Sequence, residues 1–517
     1  MSSLKIGAIV LVCGAACVDC AGPPGSLAPT QNPLVAEYVV RATSSGSTAW
    51  VEFGTDSRYG RRTSTTAPTT SGDQMLRVLV AGMKANTTYH LRAHVESPGI
   101  PPWVDQDQTF TTGLLPGQVL DARGNPSTYS DAPQLIVTRP TSGREPAAGI
   151  ELLSLNMPTE ASALLALAAD LEGNVIWYYE LGADQTSMPL PIKPLPNGHM
   201  LVNVVQGLLG PSELREIDLA GRVVRALSVG DLSAKLGALG QSINLNQVHH
   251  DVIALPNGHL ILLASTTRSF VDLTGLPGTT QVLGDVLVEL DPAWNPVWFW
   301  SAFDHLDVNR HPISHSDWTH GNGLAYLPDG NLLLSLRNQH WIVAIDYANG
   351  VGSGNILWKL GYQGDFSLSQ GDPAQWFFAQ HFPWVLDENG SRIQLAVFDN
   401  GDFRPVDGGP ACGSSPDAAP CQSRATIFQL DQESRTANLT WHYDPGLYSP
   451  FGGSILQLGN GDVEFDLSAP FPGTSAARVM EIAPGLDQQV VWQLDIRGAT
   501  AYRAYRIPSL YPGIEWP

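Results

Sequence analysis

The chain has 517 residues, too many for one ordinary compact core, so the sequence predicts one large β architecture together with a smaller module. Its 51 Gly and 39 Pro require frequent turns, and Val, Thr, Trp and Tyr fill the runs between them, a mixture that favours β structure. The formal net charge of −21 argues against nucleic acid or an anionic membrane surface as a partner, because both need a basic surface.

The first 25 residues have the pattern of a secretion signal. Lys5 precedes an apolar run from Ile6 to about Cys17, which is too short for a membrane-spanning helix. The stretch "GAAC" suits a lipoprotein cleavage box with Cys17 as the acylated residue, although the leucine preferred at its first position is missing. We therefore expect an exported protein, periplasmic or extracellular, whose one link to a membrane is a lipid anchor at Cys17.

Residues 30–115 predict a separate β unit. Short alternating apolar runs are divided by turns, as in "TAWVEFGTDSRYG" and "DQTFTTGL". The stretch "MKANTTYHLRA" resembles the end of a fibronectin type III sandwich, with Tyr89 at the corner position. We expect a small fibronectin type III-like β-sandwich that supports or positions the rest of the chain.

From residue 116 to residue 517 the sequence repeats two phrases. The first is an apolar strand that ends in Asp, a turn, and a strand that often carries Trp. Its six copies are marked by Asp170, Asp218, Asp291, Asp346, Asp431 and, in place of Asp, Ala483.

The second phrase contains Asn-Gly or Asp-Gly turns, as in "ALPNGHLILLAS" and "YLPDGNLLLSL", and these favour tight hairpins. Each repeat therefore has at least four strands. Six such repeats predict an all-β fold in which a six-bladed β-propeller occupies residues 116–517. A solenoid is the alternative, and the lack of short regular rungs favours the propeller.

Polar residues recur at one register of the second phrase. The residue five positions before the apolar residue that opens the turn is His250, Asn322 or His381 in three consecutive repeats. Because strand side chains alternate, His320 shares a face with Asn322, and His249 is expected to point away from His250. Each histidine alone suits a hydrogen-bonded core or surface position, but a shared register favours convergence on the central channel.

Arg337 follows the strand that comes after His320. As an isolated residue it would be a surface cation. Next to the polar register it is a candidate bidentate clamp for a tetrahedral oxyanion, because its planar guanidinium presents paired N–H donors.

Two other clusters suggest chemistry. Cys412 and Cys421 lie in the loop "ACGSSPDAAPCQS", and a local disulfide is the simplest interpretation in an exported protein, since the spacing is wrong for a Cys-x-x-Cys redox pair. The segment "NRHPISHSDWTH" offers a rival zinc or copper site from these residues: His311, His315, Asp317 and His320.

Several spaced motifs together resemble the bacterial arylsulfate sulfotransferases, over most of residues 150–517. They are "HHDVIALPNGHLILLAS", "DWTHGNGLAYLPDGNLLLSLRNQHWIVAID", "ILWKLG", "AQHFPWVLDENG", "LAVFDNGDFR" and "YRAYRIPSLYPG". The resemblance implies a six-bladed propeller that moves a sulfuryl group from an aryl sulfate donor to a phenol acceptor, without a cofactor and without a nucleotide donor. One departure is Gly323, where the family often has serine after the His-x-Asn pair.

By the same resemblance, His381 is the nucleophile that is transiently sulfated, which gives ping-pong kinetics. The residues that would hold the sulfuryl oxygens are His250, His320, Asn322 and Arg337. Either His250 or His320 could protonate the leaving phenol. No metal is implied, and the oligomeric state stays open, with a homodimer as one option.

The aromatics around His381 are candidates for an aryl pocket, with core packing as the alternative: Phe377, Phe378, Phe382 and Trp384. A propeller that hydrolyses aryl sulfates, or one that binds a ligand without catalysis, is the alternative function.

Overall fold

The computed structural model describes residues 25–42, 44–67, 74–128, 130–140, 143–157, 164–182, 187–207, 210–470, 476–485 and 487–517. Cys17 and the expected leader, apart from Gly25, lie outside this part of the chain. Nearly all regular secondary structure in the described residues is β-strand, which confirms the predicted all-β class. Their one α-helix, α1 (Val229–Ala238), begins at Ser228, whose side chain accepts the N–H of Asp231. None of the helices found there has the length and apolarity that a bilayer span needs.

The N-terminal unit consists of two antiparallel sheets. Its strands are β1 (Ser26–Pro29), β2 (Ala36–Arg41), β3 (Thr48–Gly54), β4 (Arg61–Arg62), β5 (Met75–Val80), β6 (Thr88–Ser97), β7 (Ile100–Val104) and β8 (Gln108–Thr111). One sheet has the order β1-β2-β5, and the other has the order β4-β3-β6-β7 with β8 also on β6. Buried and half-buried residues alternate along β2, β3 and β6, so each sheet presents one apolar face. The Tyr89 hydroxyl accepts the Lys84 N–H at 2.9 Å.

The remaining strands form six further sheets. They are β9 (Gln134–Thr138), β10 (Ile150–Asn156), β11 (Ala166–Ala169), β12 (Val175–Tyr179), β13 (Ser187–Pro194), β14 (Met200–Gln206), β15 (Ser212–Ile217), β16 (Val223–Ser228), β17 (Leu245–Ala254), β18 (Leu260–Leu273), β19 (Leu276–Leu290), β20 (Pro296–Ser301), β21 (Gly321–Tyr326), β22 (Leu332–Leu336), β23 (Trp341–Ile345), β24 (Ile356–Gly361), β25 (Ser367–Leu368), β26 (His381–Asn389), β27 (Arg392–Asp399), β28 (Arg424–Asp431), β29 (Thr436–Tyr443), β30 (Ile455–Gln457), β31 (Val463–Leu467), β32 (Ala477–Ile482), β33 (Val490–Arg497) and β34 (Thr500–Ile507).

Each of these sheets is a meander of consecutive strands, and three of them are completed by a strand from elsewhere in the sequence: β34 beside β10, β25 beside β29, and β9 beside β33. The orders are β34-β10-β11-β12, β13 to β16, β17 to β20, β21 to β24, β26-β27-β28-β29-β25 and β30-β31-β32-β33-β9. Neighbouring sheets contact each other through their first strands: β13 with β17, β17 with β21, β21 with β26, and β26 with β30. Strand β34 contacts both β13 and β31, and it pairs with β10. The last strand of the chain therefore joins the first of these sheets to the last.

The two repeated phrases are turns with a fixed hydrogen-bond pattern. In the second phrase the Leu255 N–H donates to His259 O, and the Leu327 N–H donates to Asn331 O. In the first phrase the side chain of Asp170 accepts backbone N–H groups two and four residues later. This is the Asx-turn geometry that selects Asp at that position.

The predicted disulfide joins Cys412 to Cys421 in the loop between β27 and β28.

The tail after β34 returns to the N-terminal unit. There the Tyr511 hydroxyl donates to Leu79 O at 2.8 Å, and Trp516 Nε1 donates to Arg62 O at 3.0 Å. These contacts tie the N-terminal unit to the repeated sheets.

One buried arginine forms ion pairs with glutamates on three other strands. Arg506 on β34 contacts Glu151 on β10, Glu464 on β31 at 2.9 Å and Glu481 on β32 at 3.1 Å. All four side chains are buried. Burial raises the pKa of Glu464 and of Glu481, and the nearby Glu151 raises that of Glu464 further. A single guanidinium therefore compensates several buried carboxyl groups.

Replacing Arg506 tests this role. We expect Arg506→Gln to destabilise the protein by about 3–5 kcal/mol, because it leaves buried carboxyl groups without their shared cation. Thermal and urea unfolding of the full chain measure the change. The control is Arg58→Gln, which breaks an ion pair whose arginine side chain is 90% exposed, and we expect no measurable change in the unfolding midpoint. Equal unfolding midpoints for the two variants would contradict the assignment.

Candidate functional site

The polar register lies on the first strands of three consecutive sheets. His250 is on β17, Asn322 is on β21, and His381 is the first residue of β26. His320 immediately precedes β21, and Arg337 directly follows β22. Because these first strands contact one another, the structure brings residues from separate repeats to one place.

The rings of His250 and His320 are in direct contact. The centroid of the His250 ring lies 4.9 Å from that of His320 and 5.5 Å from that of Tyr502. Asn322 joins this group through its Nδ2, which donates to Gln380 O, next to His381, at 2.8 Å. Arg337 donates to Pro450 O at 3.1 Å, and Gly452, two residues further on, donates to Nε2 of His381 at 3.2 Å. All five predicted residues thus lie in one neighbourhood, which we call the histidine cluster: His250, His320, Asn322, Arg337 and His381.

Strand alternation is not what positions the histidines. His250 and His320 have φ of 59° and 49°, in the left-handed region that few non-glycine residues adopt. Strand register shifts between Val248 and Val252 at the first of them. The expectation that His249 points away is therefore wrong: its Nδ1 lies 2.7 Å from Nδ1 of His250, and its Nε2 lies 3.2 Å from Asp285 Oδ1. The irregular backbone turns both rings toward each other.

Hydrogen bonds define the tautomer of His381. Asn400 uses its Nδ2 to donate to Ser449 O and Gly452 O, so its Oδ1 must accept from Nδ1–H of His381, at 2.7 Å. The Nε2 of His381 in turn accepts the Gly452 N–H at 3.2 Å. The lone pair of the imidazole is therefore on Nε2, held by one long hydrogen bond.

The surroundings keep His381 neutral. Its side chain is buried, and burial lowers its pKa well below the usual value. The positive charges of Arg503 and Arg337 lower that pKa further, and the hydrogen bond to Asn400 offsets only part of the effect. A neutral imidazole with its lone pair on Nε2 is a nucleophile.

The other two histidines differ from each other. Burial lowers the pKa of His250 well below its usual value, and the neighbouring His249 and His320 add to this effect. His320 is partly exposed, and its Nδ1 lies 2.6 Å from Asp317 Oδ2. Burial would raise the pKa of Asp317, but the hydrogen bond to His320 leaves it below the usual value. His320 thus has a carboxylate partner that can compensate a positive charge on its ring.

Arg337 is not a free surface cation. Its Nη2 contacts Asp402 and donates to Pro450 O at 3.1 Å, while its Nη1 donates to Asn338 Oδ1 at 2.8 Å. Burial raises the pKa of Asp402 to about 6 despite the opposing charge of Arg337. These contacts hold the guanidinium at the edge of the histidine cluster.

Sequence reasoning missed Arg503, on β34. Its side chain is fully buried and donates only to backbone carbonyls, those of Gly453 at 2.6 Å, Tyr502 at 3.1 Å and Asn322 at 2.5 Å. Its Nε has no hydrogen-bond partner among the described residues, and none of their carboxylates is within ion-pair distance. The signal was a pair of arginines in a largely apolar and aromatic strand, "TAYRAYRI".

Asn400 was also missed as a site residue, although it lies in the quoted stretch "LAVFDNGDFR".

Gly323, where the family often has serine, is required for a steric reason. A Cβ at this position would lie 2.6 Å from Pro383 Cδ, beside the backbone of Phe382. The backbone next to His381 therefore approaches β21 too closely for serine.

The four aromatics divide into two groups. Phe377 and Phe378 are buried in a hydrophobic core with Trp376 and Phe428, so core packing explains them. Phe382 and Trp384 stack at 5.9 Å and line a cavity of about 860 Å³. No residue of the histidine cluster lines this cavity. The cavity is lined by residues that come later in the same first strands.

The rival metal site does not assemble. His311 and His315 are neighbours, with ring centroids 5.9 Å apart, whereas His320 bonds to Asp317 and faces His250. Within the described ranges, no group of three or more His, Cys, Asp or Glu side chains is arranged to hold a metal ion.

Comparison with known proteins gives one strong match. The family Arylsulfotransferase (ASST) matches residues 142–506. No curated protein matches the chain significantly.

Among solved structures, a Synechocystis apocarotenoid oxygenase variant is 9% identical, with a TM-score of 0.30 over 93% of this chain and 82% of that chain. A Lactobacillus plantarum protein is 10% identical, with a TM-score of 0.38 over 69% of this chain and 99% of that chain.

The tautomer and charge of His381 can be measured directly. We expect ¹⁵N NMR of histidine-labelled protein to show His381 neutral, with the proton on Nδ1, at pH values well below the ordinary histidine pKa, because burial and the nearby arginines disfavour the imidazolium. Asn400→Asp should move the titration of His381 to higher pH, because a carboxylate favours the imidazolium. Asn438→Asp, on the outer strand β29, is the matched control and should leave it unchanged. Titration of parental His381 near 6.5 would contradict this account.

Proposed function

The chain belongs to the arylsulfotransferase family, and we propose that it transfers a sulfuryl group from a phenolic sulfate ester to a phenol through a sulfohistidine at His381. The observation that carries the proposal is the state of His381: buried, neutral, and with its lone pair on Nε2. No nucleotide donor is required, because an aryl sulfate already carries an activated sulfuryl group.

The first half-reaction is an attack by Nε2 on sulfur. The N–S bond forms, the S–O bond to the aryl group breaks, and the electron pair of that bond leaves on the phenol oxygen. In the second half-reaction the oxygen of an acceptor phenol attacks the same sulfur, its proton is removed, and the N–S bond returns its electrons to His381. The hydrogen bond from Gly452 to Nε2 is long and must give way before attack.

Two guanidinium groups would stabilise the sulfuryl oxygens. Arg337 lies at the rim of the histidine cluster, and Arg503 is buried behind it. Asn322 uses one N–H for Gln380 O, and its second N–H has no protein acceptor among the described residues. By analogy with oxyanion-hole donors, each of these groups would contribute about 2–4 kcal/mol to the transition state.

His320 suits the proton transfers better than His250. Its contact with Asp317 compensates the charge of an imidazolium, whereas burial and two neighbouring rings keep His250 neutral. In this proposal His320 gives a proton to the leaving phenol and takes one from the acceptor. His250 acts as a neutral hydrogen-bonding group.

We also propose the architecture around this site. The six repeated sheets would be the blades of a six-bladed propeller closed by β34, with the histidine cluster at its central channel. The N-terminal unit would be a fibronectin type III-like sandwich, since Tyr89 contacts the backbone five residues upstream as a tyrosine corner does. Export to the periplasm or the cell exterior is supported by the disulfide.

Replacement of His381 tests the function. We expect His381→Asn to lower kcat/KM for transfer from 4-nitrophenyl sulfate to phenol by at least about 1,000-fold, because the nucleophile is lost. The control is His442→Asn, an exposed histidine on β29, which should retain full activity. Turnover by His381→Asn at the rate of the control would overturn the proposal. Release of 4-nitrophenol that needs no phenol would instead indicate hydrolysis.

The role of Asp317 follows from the proton step. Asp317→Asn should slow transfer from a donor with a weakly acidic phenol, such as phenyl sulfate, at least about tenfold more than transfer from 4-nitrophenyl sulfate, because only the poorer leaving group depends on protonation. Asp307→Asn in the exposed part of the same loop is the control. An equal effect on both donors would assign Asp317 a structural role only.

A further inference from the structure

The cavity that Phe382 and Trp384 line is distinct from the histidine cluster. It lies along later residues of the same first strands, such as Lys193 on β13, Ile253 on β17 and Tyr505 on β34. Phe382 separates the two regions: it follows His381 in the chain, lines the cavity, and packs 5.1 Å from the buried guanidinium of Arg503. A volume of about 860 Å³ is within the range of small-molecule sites.

Its walls are suited to an aromatic ring. Trp384 is 40% exposed, which is unusual for a tryptophan, and it stacks on Phe382 with an interplanar angle of 14°. Tyr505 packs on Phe382 at 5.7 Å. Trp384 therefore offers a large free face at the opening of an aromatic-lined cavity, and a planar ligand can extend this stack.

A buried polar atom points to a hydrogen-bonding ligand. The hydroxyl of Tyr505, a cavity-lining residue that is only 7% exposed, has no hydrogen-bond partner in the described part of the chain. Burial raises the pKa of Tyr505, so the hydroxyl keeps its proton and can donate. An unpaired buried hydroxyl is unfavourable, and a hydrogen bond to a ligand hydroxyl would remove this penalty.

The charges of the cavity favour an uncharged ligand. Lys193 is paired with Asp251 at 2.5 Å, and Arg506 contacts three glutamates. Both cations are therefore already compensated, and the remaining charged residue of the lining, Glu515, is acidic. An aryl sulfate would gain no free cation here, in contrast to the histidine cluster.

We propose that this cavity is a second ligand site, which binds an uncharged planar aromatic alcohol between Trp384 and Tyr505. The ring stacks on Trp384, and the hydroxyl of the ligand accepts a hydrogen bond from Tyr505. The site does not depend on sulfuryl transfer, because none of its residues belongs to the histidine cluster.

Calorimetry with 2-naphthol tests the proposal, using the full chain in the His381→Asn background so that no transfer occurs. We expect saturable binding that Trp384→Ala weakens at least about tenfold, through loss of the stacked face. Tyr505→Phe should weaken 2-naphthol by about three- to tenfold and leave naphthalene unchanged, because only the hydrogen bond is lost.

Trp50→Ala is the matched control, since Trp50 is a partly exposed tryptophan of the N-terminal unit, on β3. It should bind 2-naphthol like the parent. Affinity unchanged in both Trp384→Ala and Tyr505→Phe, or absence of saturable binding, would overturn the second site while leaving the role of His381 untouched.

Discussion

The pairing of β34 with β10 is the interaction on which the rest of the molecule depends. It joins the last strand of the chain to the first of the repeated sheets, and Arg506 reinforces it by contacting glutamates on β10, β31 and β32. The same strand carries Arg503 and Tyr502 into the histidine cluster. Strand β34 therefore both connects the first of the repeated sheets to the last and brings residues to the histidine cluster.

In the proposed mechanism, the nucleophile is an uncharged imidazole that lies among positively charged groups. Burial, and then the charges of two guanidinium groups, lower the pKa of the imidazole and keep it unprotonated, so its lone pair stays available while the surroundings remain attractive to an anion. Burying a cation without a carboxylate partner is expensive, and Arg503 meets the cost through backbone carbonyls. In the proposed function, a bound sulfate ester would bring negative charge to these cations.

Much of the architecture could be predicted from the sequence because its turns carry local signals. Asp170, Asp218, Asp291 and Asp431 each accept a backbone N–H two or four residues later, and Asp346 accepts one seven residues later. The backbone at His250 and His320 could not be predicted, since positive φ at histidine has no sequence signature. Arg503 stayed hidden because its partners Gly453 and Asn322 are 50 and 181 residues away in the chain and contribute only backbone atoms.

The central claim is that His381 carries the sulfuryl group between donor and acceptor. Mass spectrometry at neutral pH, after incubation of the protein with 4-nitrophenyl sulfate and no acceptor, tests it most directly. The account predicts one sulfuryl adduct per chain, on the peptide that contains His381, which disappears when phenol is added. An adduct on another residue that is released to phenol at the rate of turnover would contradict it.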